Sequence, residues 1–493
     1  MSDKTRLGIS LMAVAFVGGA LGDGLLRATP WGLNLFVWIA ALVASVTAVL
    51  ILNRVESVAG CKWLVIPLLF FAAAFGWRDS PVLKALSLIG IVVTLAMILM
   101  RSRAGKLLTA GVTDYAFSIL VSLYNALAGA GYLIGGEIDW NEIPRDGWAK
   151  HLAPVVKGLA IVFPLLLIFG GLLTSADAVF SDLVLRLFDW DFESLIVHCL
   201  LTAIIAWAVA GFLRGVLTGK EMKAVNANRP AFLWLGVTEM VIILGLLDIL
   251  FLSFVVVQFR YFFGGAARIQ SVAGLTYAEY ARSGFFELVG VAALVLPLLL
   301  AAHWLLRKEK SRDERIFRVL AGIQIALLFV MIVSALQRMR LYQREYGLTE
   351  LRVYTTVFMG WLAVIFVWFA MTVLRGRRER FAFGAVATGF LAIGALLAAN
   401  PDRLIARVNI EQAIAGRNFD AVYAASLSSD AVPELITALP RLNRSQRCAL
   451  ASQIVHSRPI AESPGWRRWN WSRAEAARAL AASERELRES ACQ

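Results

Sequence analysis

Several carboxylates stand inside long apolar stretches of this chain. Glu239 and Asp248 share one stretch and Glu287 lies in another, and no lysine or arginine accompanies them within those runs. A carboxylate among apolar side chains can hold a proton, hold a cation, or bond a neighbouring helix, because the isolated charge costs about 2.5–3.5 kcal/mol at the centre of a membrane span. Glu239 and Asp248 are nine residues apart, so on one helix they point in nearly opposite directions. A second constellation lies in LTYAEYARSGFFELVG, residues 275–290, which brings Tyr277, Glu279, Tyr280 and Arg282 to the mouth of the run that holds Glu287. Two further segments repeat that chemistry. QRMRLYQREYGLTELR (337–352) carries Glu345, Tyr346 and Arg352, and TSADAVFSDLVLRLFDWD (174–191) carries Asp177. Phenols and carboxylates beside arginines suit a small polar ligand or a lipid headgroup, and they serve equally as a polar lock between segments.

Each of these residues also has a structural explanation. Thr276 with Glu279 forms a capping box, and Thr349 before Glu350 reads as the cap of a helix starting near 350. Tyr277 and Tyr280 suit interface anchors. Tyr280, Gly284 and Glu287 share one helix face by their spacing, which caps do not explain. Asp23 lies in the first apolar run, and His303 beside Trp304 reads as an interfacial residue near a run end.

The elements that must position these groups are transmembrane. Of 493 residues, 59% are hydrophobic and only 17% charged, with mean hydropathy +0.70. A soluble chain of this length needs more polar surface. Apolar runs cover roughly 8–26, 31–51, 63–76, 82–100, 115–134, 152–175, 192–217, 231–257, 284–306, 316–336, 353–374 and 380–398. They are continuous, without the alternation of a membrane barrel, so they predict helices. The expected fold is all-α: a polytopic transmembrane helical bundle over 1–398, with a small helical C-terminal extramembrane domain over 399–493.

Basic loops set the orientation. Lys4 and Arg6, Arg54 and Lys62, and Arg101, Arg103 and Lys106 mark cytoplasmic connections. So do the basic loops at 214–229, 307–315 and 375–380. If every run crossed, the loops at 101–114 and 214–229 would lie on opposite faces. The expectation is therefore 11 crossings, with 115–134 re-entrant or lying along the interface; 12 crossings with one misplaced loop is the alternative. The first model leaves the N-terminus inside and the tail periplasmic. It also gathers 174–191, 258–283 and 337–352 on the tail's side.

The net charge of +13 is accounted for by these basic loops, and without a nucleic-acid-binding signature no nucleic-acid partner is expected. No GxSxG, HExxH, Walker or GxGxxG motif is present. The histidines at 151, 198, 303 and 456 are dispersed, so no metal centre and no cofactor is expected, although a carboxylate-based cation site stays open. In the tail, NPDRLIARVNIEQAIAG predicts a helix from Pro401, and FDAVYAASLSSDAVPELITAL predicts two short helices broken at Ser428–Ser429. Ser472 with Glu475 reads as a capping box. Trp466, Trp469 and Trp471 are candidates for lipid contact, and a Cys448–Cys492 bond is compatible with an oxidising compartment.

The segments GLLTSADAVF (171–180), LTYAEYARSGFFELV (275–289), YQREYGLTELRVY (342–354), NPDRLIARVNIEQA and FDAVYAASLSSDAVPEL resemble those of bacterial multi-pass membrane proteins of domain-of-unknown-function family 4173, related to family 4153. The resemblance implies a polytopic protein of the bacterial inner membrane and no established reaction. It marks Asp177, Thr276, Tyr277, Glu279, Tyr280, Arg282, Tyr346, Leu348, Thr349, Arg352, Asp402, Asn409, Asp420 and Asp430 as motif residues. The expected role is a non-enzymatic envelope sensor, scaffold or assembly factor with membrane lipids, and envelope proteins, as partners. A transporter or channel using the intramembrane acids is the alternative. An enzyme acting on an envelope lipid is the third reading.

Overall fold

The computed structural model describes residues 1–55, 59–104, 107–142, 149–177, 180, 192–219, 234–263, 285–307, 311–457 and 465–491. Tyr277, Glu279, Tyr280 and Arg282 lie outside the described residues, as does Cys492. The described chain is helical, and its sole β-type pairing is an isolated bridge between Leu235 and Leu306. Hydrocarbon offers no partner for backbone N–H and C=O groups, so long apolar runs satisfy them internally as helices. The helices are α1 (Asp3–Leu26), α2 (Leu33–Leu52), α3 (Val65–Trp77, entered through a 3-10 turn), α4 (Pro81–Ala104), α5 (Val112–Tyr132), α6 (Ala149–Ala176), α7 (Phe192–Leu217), α8 (Val237–Phe263), α9 (Phe285–Leu305), α10 (Ser311–Tyr346), α11 (Glu350–Thr372) and α12 (Phe381–Ala399). Among the described residues, eleven helices are long and apolar enough to cross a membrane. One of the eleven is the run expected not to cross, which forms a regular helix over Val112–Tyr132 followed by a wider π-type turn over Leu133–Glu137.

The chain divides into two compact units. The smaller comprises Met1–Ala28, Val37–Ala59 and Val121–Gly219. Its centre is the antiparallel pair of α1 and α7, drawn together by small residues. A Cβ on Gly19 would lie 2.5 Å from the Thr202 carbonyl oxygen, and where α5 crosses α7 one on Gly211 would lie 2.1 Å from that of Asn125. Glycines at such crossings let backbones approach closely where the hydrophobic effect cannot drive helices together. The end of α5 lies at the N-terminal end of α1. Ile138 packs on Gly8, the Asp139 N–H donates to Thr5 Oγ1 at 3.2 Å, and Ser2 N donates to Glu142 at 2.6 Å. At that level Arg214 pairs with Glu137 at 2.7 Å.

The larger unit comprises Thr29–Phe36, Gly60–Leu120 and Lys220–Gln493. Its main core joins α8 to α11, with Leu244, Phe251, Leu299, Leu328 and Phe366 buried together. The helix ends sort onto two faces. On one, Leu64, Met100, Leu107, Tyr115 and Ala382 form a cluster, Leu235 pairs with Leu306, and His303 meets Phe317 at 5.1 Å between ring centroids. On the other, residues 30–33, 77–80 and 347–350 meet the chain that leaves α12. There the tail folds as α13 (Pro401–Ile414), α14 (Ala421–Ser426), α15 (Val432–Ala438), α16 (Arg444–Ser457), α17 (Trp471–Ala482) and α18 (Glu484–Ser490). These share a core of Ile405, Ile410, Leu427, Leu435, Leu450 and Leu480.

The helix expected from Pro401 is present. Asn400, at φ +51°, accepts the Arg403 N–H, and Pro401 takes the first position, where a missing N–H costs nothing. The Ser472 capping box is corrected. The cap of α17 is Asn470, whose Oδ1 accepts the Arg473 N–H at 3.0 Å, and Ser472 sits inside the first turn with its hydroxyl employed elsewhere. Thr349 does precede α11, but its hydroxyl makes no capping bond.

Candidate functional site

A dense polar cluster of the larger unit joins the tail to the loops beneath it, and its centre is Asp430. The Asp430 side chain is fully shielded from solvent. Its Oδ2 accepts the backbone N–H groups of Asp79 at 2.7 Å and Ser80 at 3.0 Å, and the Ser428 hydroxyl at 3.1 Å. Its Oδ1 lies 2.5 Å from Ser472 Oγ and 3.6 Å from Arg78 Nη1. Asp79 and Ser80 immediately precede α4, so the tail supplies the anionic cap for a helix some 350 residues earlier. Free N–H groups and the positive end of the helix dipole favour a carboxylate there. Asn470 extends the junction, with Nδ2 donating to the Phe75 and Arg78 carbonyls at 2.7 and 2.9 Å. Arg78 donates from Nε to the last turn of α12, at the Leu397 carbonyl, 2.8 Å away. Burial lowers the Arg78 pKa, and the Asp430 carboxylate opposes that shift.

Two further contacts fasten the α10–α11 loop. Asn409 accepts the Leu348 N–H at 2.7 Å and donates to the Leu348 carbonyl at 2.9 Å, as a paired strand would. Gly347 has φ +73°, and a Cβ there would stand 2.6 Å from Asn409 Oδ1, so both conformation and space require glycine. Tyr423 accepts the Glu350 N–H at 2.8 Å. Asp402 is wholly buried beneath this loop. Its Oδ2 accepts the Ser428 N–H at 3.3 Å, and burial raises its pKa.

A cleft of about 370 Å³ opens beside the same loop, lined by Phe285, Phe286, Met339, Tyr342, Thr349, Leu351 and Arg352. Arg352 is the cation in it. It donates to the Tyr346 and Gly347 carbonyls at 3.2 and 2.6 Å, and its guanidinium stacks 4.1 Å from the Tyr342 ring centroid. Glu345 and Tyr346 are exposed on the last turn of α10. Glu287 is exposed near the start of the described part of α9. Asp177 is exposed beyond α6 and accepts the Phe180 N–H at 2.8 Å.

The intramembrane acids separate. Glu239 is exposed in the first turn of α8, whereas Asp248 is buried on the stripe that α8 turns toward the core. In the smaller unit, Asp23 near the end of α1 pairs with His198, which also meets Arg27 at 2.9 Å. Arg78, Asp79 and Asn470 carry no motif by which sequence reasoning finds them, and the motif that marks Ser472 points to a cap it does not form. The signal available for Asp402, Asn409 and Asp430 is their place in the tail segments of the family resemblance.

The family model described as Domain of unknown function (DUF4153) matches residues 65–438, and the chain belongs to that family. It is a bacterial multi-pass membrane protein. Comparison with curated proteins and with solved structures finds no match.

Proposed function

We propose that this protein is a non-enzymatic scaffold of the bacterial inner membrane that holds a rigid helical domain on the periplasmic face, ready to meet envelope proteins. The observation that carries this reading is the seating of Asp430 on the Asp79 and Ser80 backbone. The polar groups around Asp430 are spent on one another and on backbone ends, which suits holding a domain in register rather than turning over a substrate. Residues 171–180, 342–354 and the tail motifs further support the finer affiliation with family 4173 within this wider group.

The helix ends support 11 crossings with a cytoplasmic N-terminus. Four helices precede α5, so the chain is back on the N-terminal side when α5 begins, and α5 ends beside residues 2–8 of α1. On this reading α5 makes no net crossing and α6 does. The face formed by the starts of α5, α10 and α12 is rich in Arg101, Arg103, Arg312, Arg315, Arg375, Arg377 and Arg380, as a cytoplasmic face should be. The disulfide-bonded state of Cys448 accords with a tail outside the cytoplasm.

Complementation of a deletion strain tests the role. Full-length protein should restore the deletion phenotype, while a chain ending at Ala399 or carrying Asp430→Ala should reach the membrane and fail. Full rescue by the truncated chain would overturn the scaffold reading. Reporter fusions at Ala399 and Gln493 test the orientation, and cytoplasmic activity at both would overturn it.

A further inference from the structure

The polar side chains buried between the transmembrane helices of the larger unit behave unlike those of the junction. Asp248 on α8 is 7% exposed and Gln324 on α10 is 0% exposed, and neither Asp248 oxygen nor either Gln324 amide atom has a hydrogen-bond partner among the described residues. A second pair, Gln258 on α8 and Ser334 on α10, is 5% and 3% exposed and likewise without a partner there. Their helices pack together, and neighbours of all four belong to one core: Leu244, Phe251 and Val255 on α8, and Ala321, Leu328 and Ala335 on α10.

Depth can be counted from the level at which His303 meets Phe317, three residues inside the Leu235–Leu306 pairing and so level with Thr238 on α8. At 1.5 Å per residue, Asp248 lies about 15 Å and Gln324 about 10 Å along the bundle from there, within roughly one turn of each other and near mid-bilayer. Gln258 and Ser334 lie about 30 and 26 Å along, toward the opposite face. On α9, which packs on α10, a further carbonyl lies at a similar depth. Pro297 interrupts α9 and withholds the N–H that the Ala293 carbonyl would accept, and Ala293 lies about 15 Å along by the same count. Interrupted helices supply such carbonyls to cations in membrane proteins.

We propose that Asp248 and Gln324 form an intramembrane site for one alkali cation, which exchanges there with a proton on Asp248, and that the Ala293 carbonyl is the nearest backbone oxygen α9 could add. One carboxylate among neutral oxygens balances one positive charge and suits a monovalent ion rather than a divalent one. Sodium and potassium share this hard-cation, oxygen-ligand chemistry. The middle of the core offers no protein cation in its place. Lysine, arginine and histidine are absent from 240–258 of α8, 288–302 of α9, 319–337 of α10 and 355–373 of α11. The flanking titratable groups are Glu239, His303, Arg307, Arg312, Asp313, Glu314, Arg315 and Arg318 at one end. At the other end they are Arg260, Glu287, Arg338, Glu350, Arg352 and Tyr354. Gln258 and Ser334 mark a polar route from the site toward the tail's face. This site is independent of the scaffold reading, which concerns the junction alone.

Carbodiimide labelling of the full chain in lipid nanodiscs tests it. Dicyclohexylcarbodiimide modifies a protonated carboxyl in apolar surroundings, and mass spectrometry locates the adduct. Asp248 should label in choline buffer at about pH 6 and lose label as pH rises. At constant pH, replacing choline by sodium or by potassium should suppress labelling by roughly tenfold for whichever ion the site takes. Asp248→Asn should abolish that adduct, and Gln324→Leu should weaken the ionic suppression while labelling persists. Absence of the Asp248 adduct in choline, or labelling that neither alkali ion suppresses, would overturn the proposal.

Discussion

The Asp430 junction and the Asp248 tier are both buried polar sites in the larger unit, and they differ in how their oxygens are satisfied. Asp430 accepts from two backbone N–H groups and two hydroxyls and sits beside an arginine. Asp248 has no such partner among the described residues. A carboxylate whose bonding capacity is filled by protein is fixed, and removing it leaves its donors stranded. A carboxylate left unfilled costs stability and is free to take a ligand. Burial alone therefore separates structural from functional acids poorly, while partnership separates them well.

The sharpest test of this contrast is the sign of a stability change. Asp430→Ala should destabilise the tail junction by about 3–5 kcal/mol, since it strands Arg78 and two backbone donors in a shielded place. Limited proteolysis should then release the tail, with Asp430→Asn intermediate. Equal protease resistance of wild type and Asp430→Ala would remove the lock. Gly347→Ala comes next and should cost about 1–3 kcal/mol, because alanine is strained at φ +73° and its Cβ meets Asn409. Thermal unfolding with tail-specific proteolysis reads it, and an unchanged midpoint would mean that the loop relaxes freely.

Asp248→Leu should act in the opposite direction. In choline buffer, without alkali ions, it should stabilise the protein by roughly 1–2 kcal/mol by removing an unsatisfied buried group. A loss of stability there would point to a structural partner for Asp248. Asp402 adds a pH-dependent term. Because burial raises its folded pKa, its contribution is complete below the ordinary carboxylate value of about 3.9 and is lost as pH rises through the raised one. Asp402→Asn mimics the protonated form, so its melting temperature should gain on the wild type as pH rises from about 4 to about 7. A gap constant with pH would refute this. The smallest effect belongs to Glu287→Gln, which should change stability by no more than about 0.5 kcal/mol because Glu287 is exposed. Loss of complementation by this variant at normal abundance would give Glu287 a role that its exposure does not explain.

Much of the fold was legible in the sequence because its signals are local. Continuous apolar runs require helices in hydrocarbon, arginine-rich loops bias orientation, and Asn400–Pro401 starts α13 through contacts within one turn. Asp248 was legible as an anomaly for the same reason: one carboxylate in a long apolar run is visible without its neighbours. Three-dimensional packing decided the partners. Asp430 caps α4 and Asn409 pairs with Leu348. Ser472 spends its hydroxyl on Asp430 and the Trp77 carbonyl instead of its own helix. It also decided that Glu239 and Asp248, alike in the sequence, have opposite exposures, because only one lies on the stripe that α8 buries. Periodicity along a chain gives each helix its faces, but a hydrogen bond or an ion site depends on which faces meet, and that choice is made by packing between segments hundreds of residues apart.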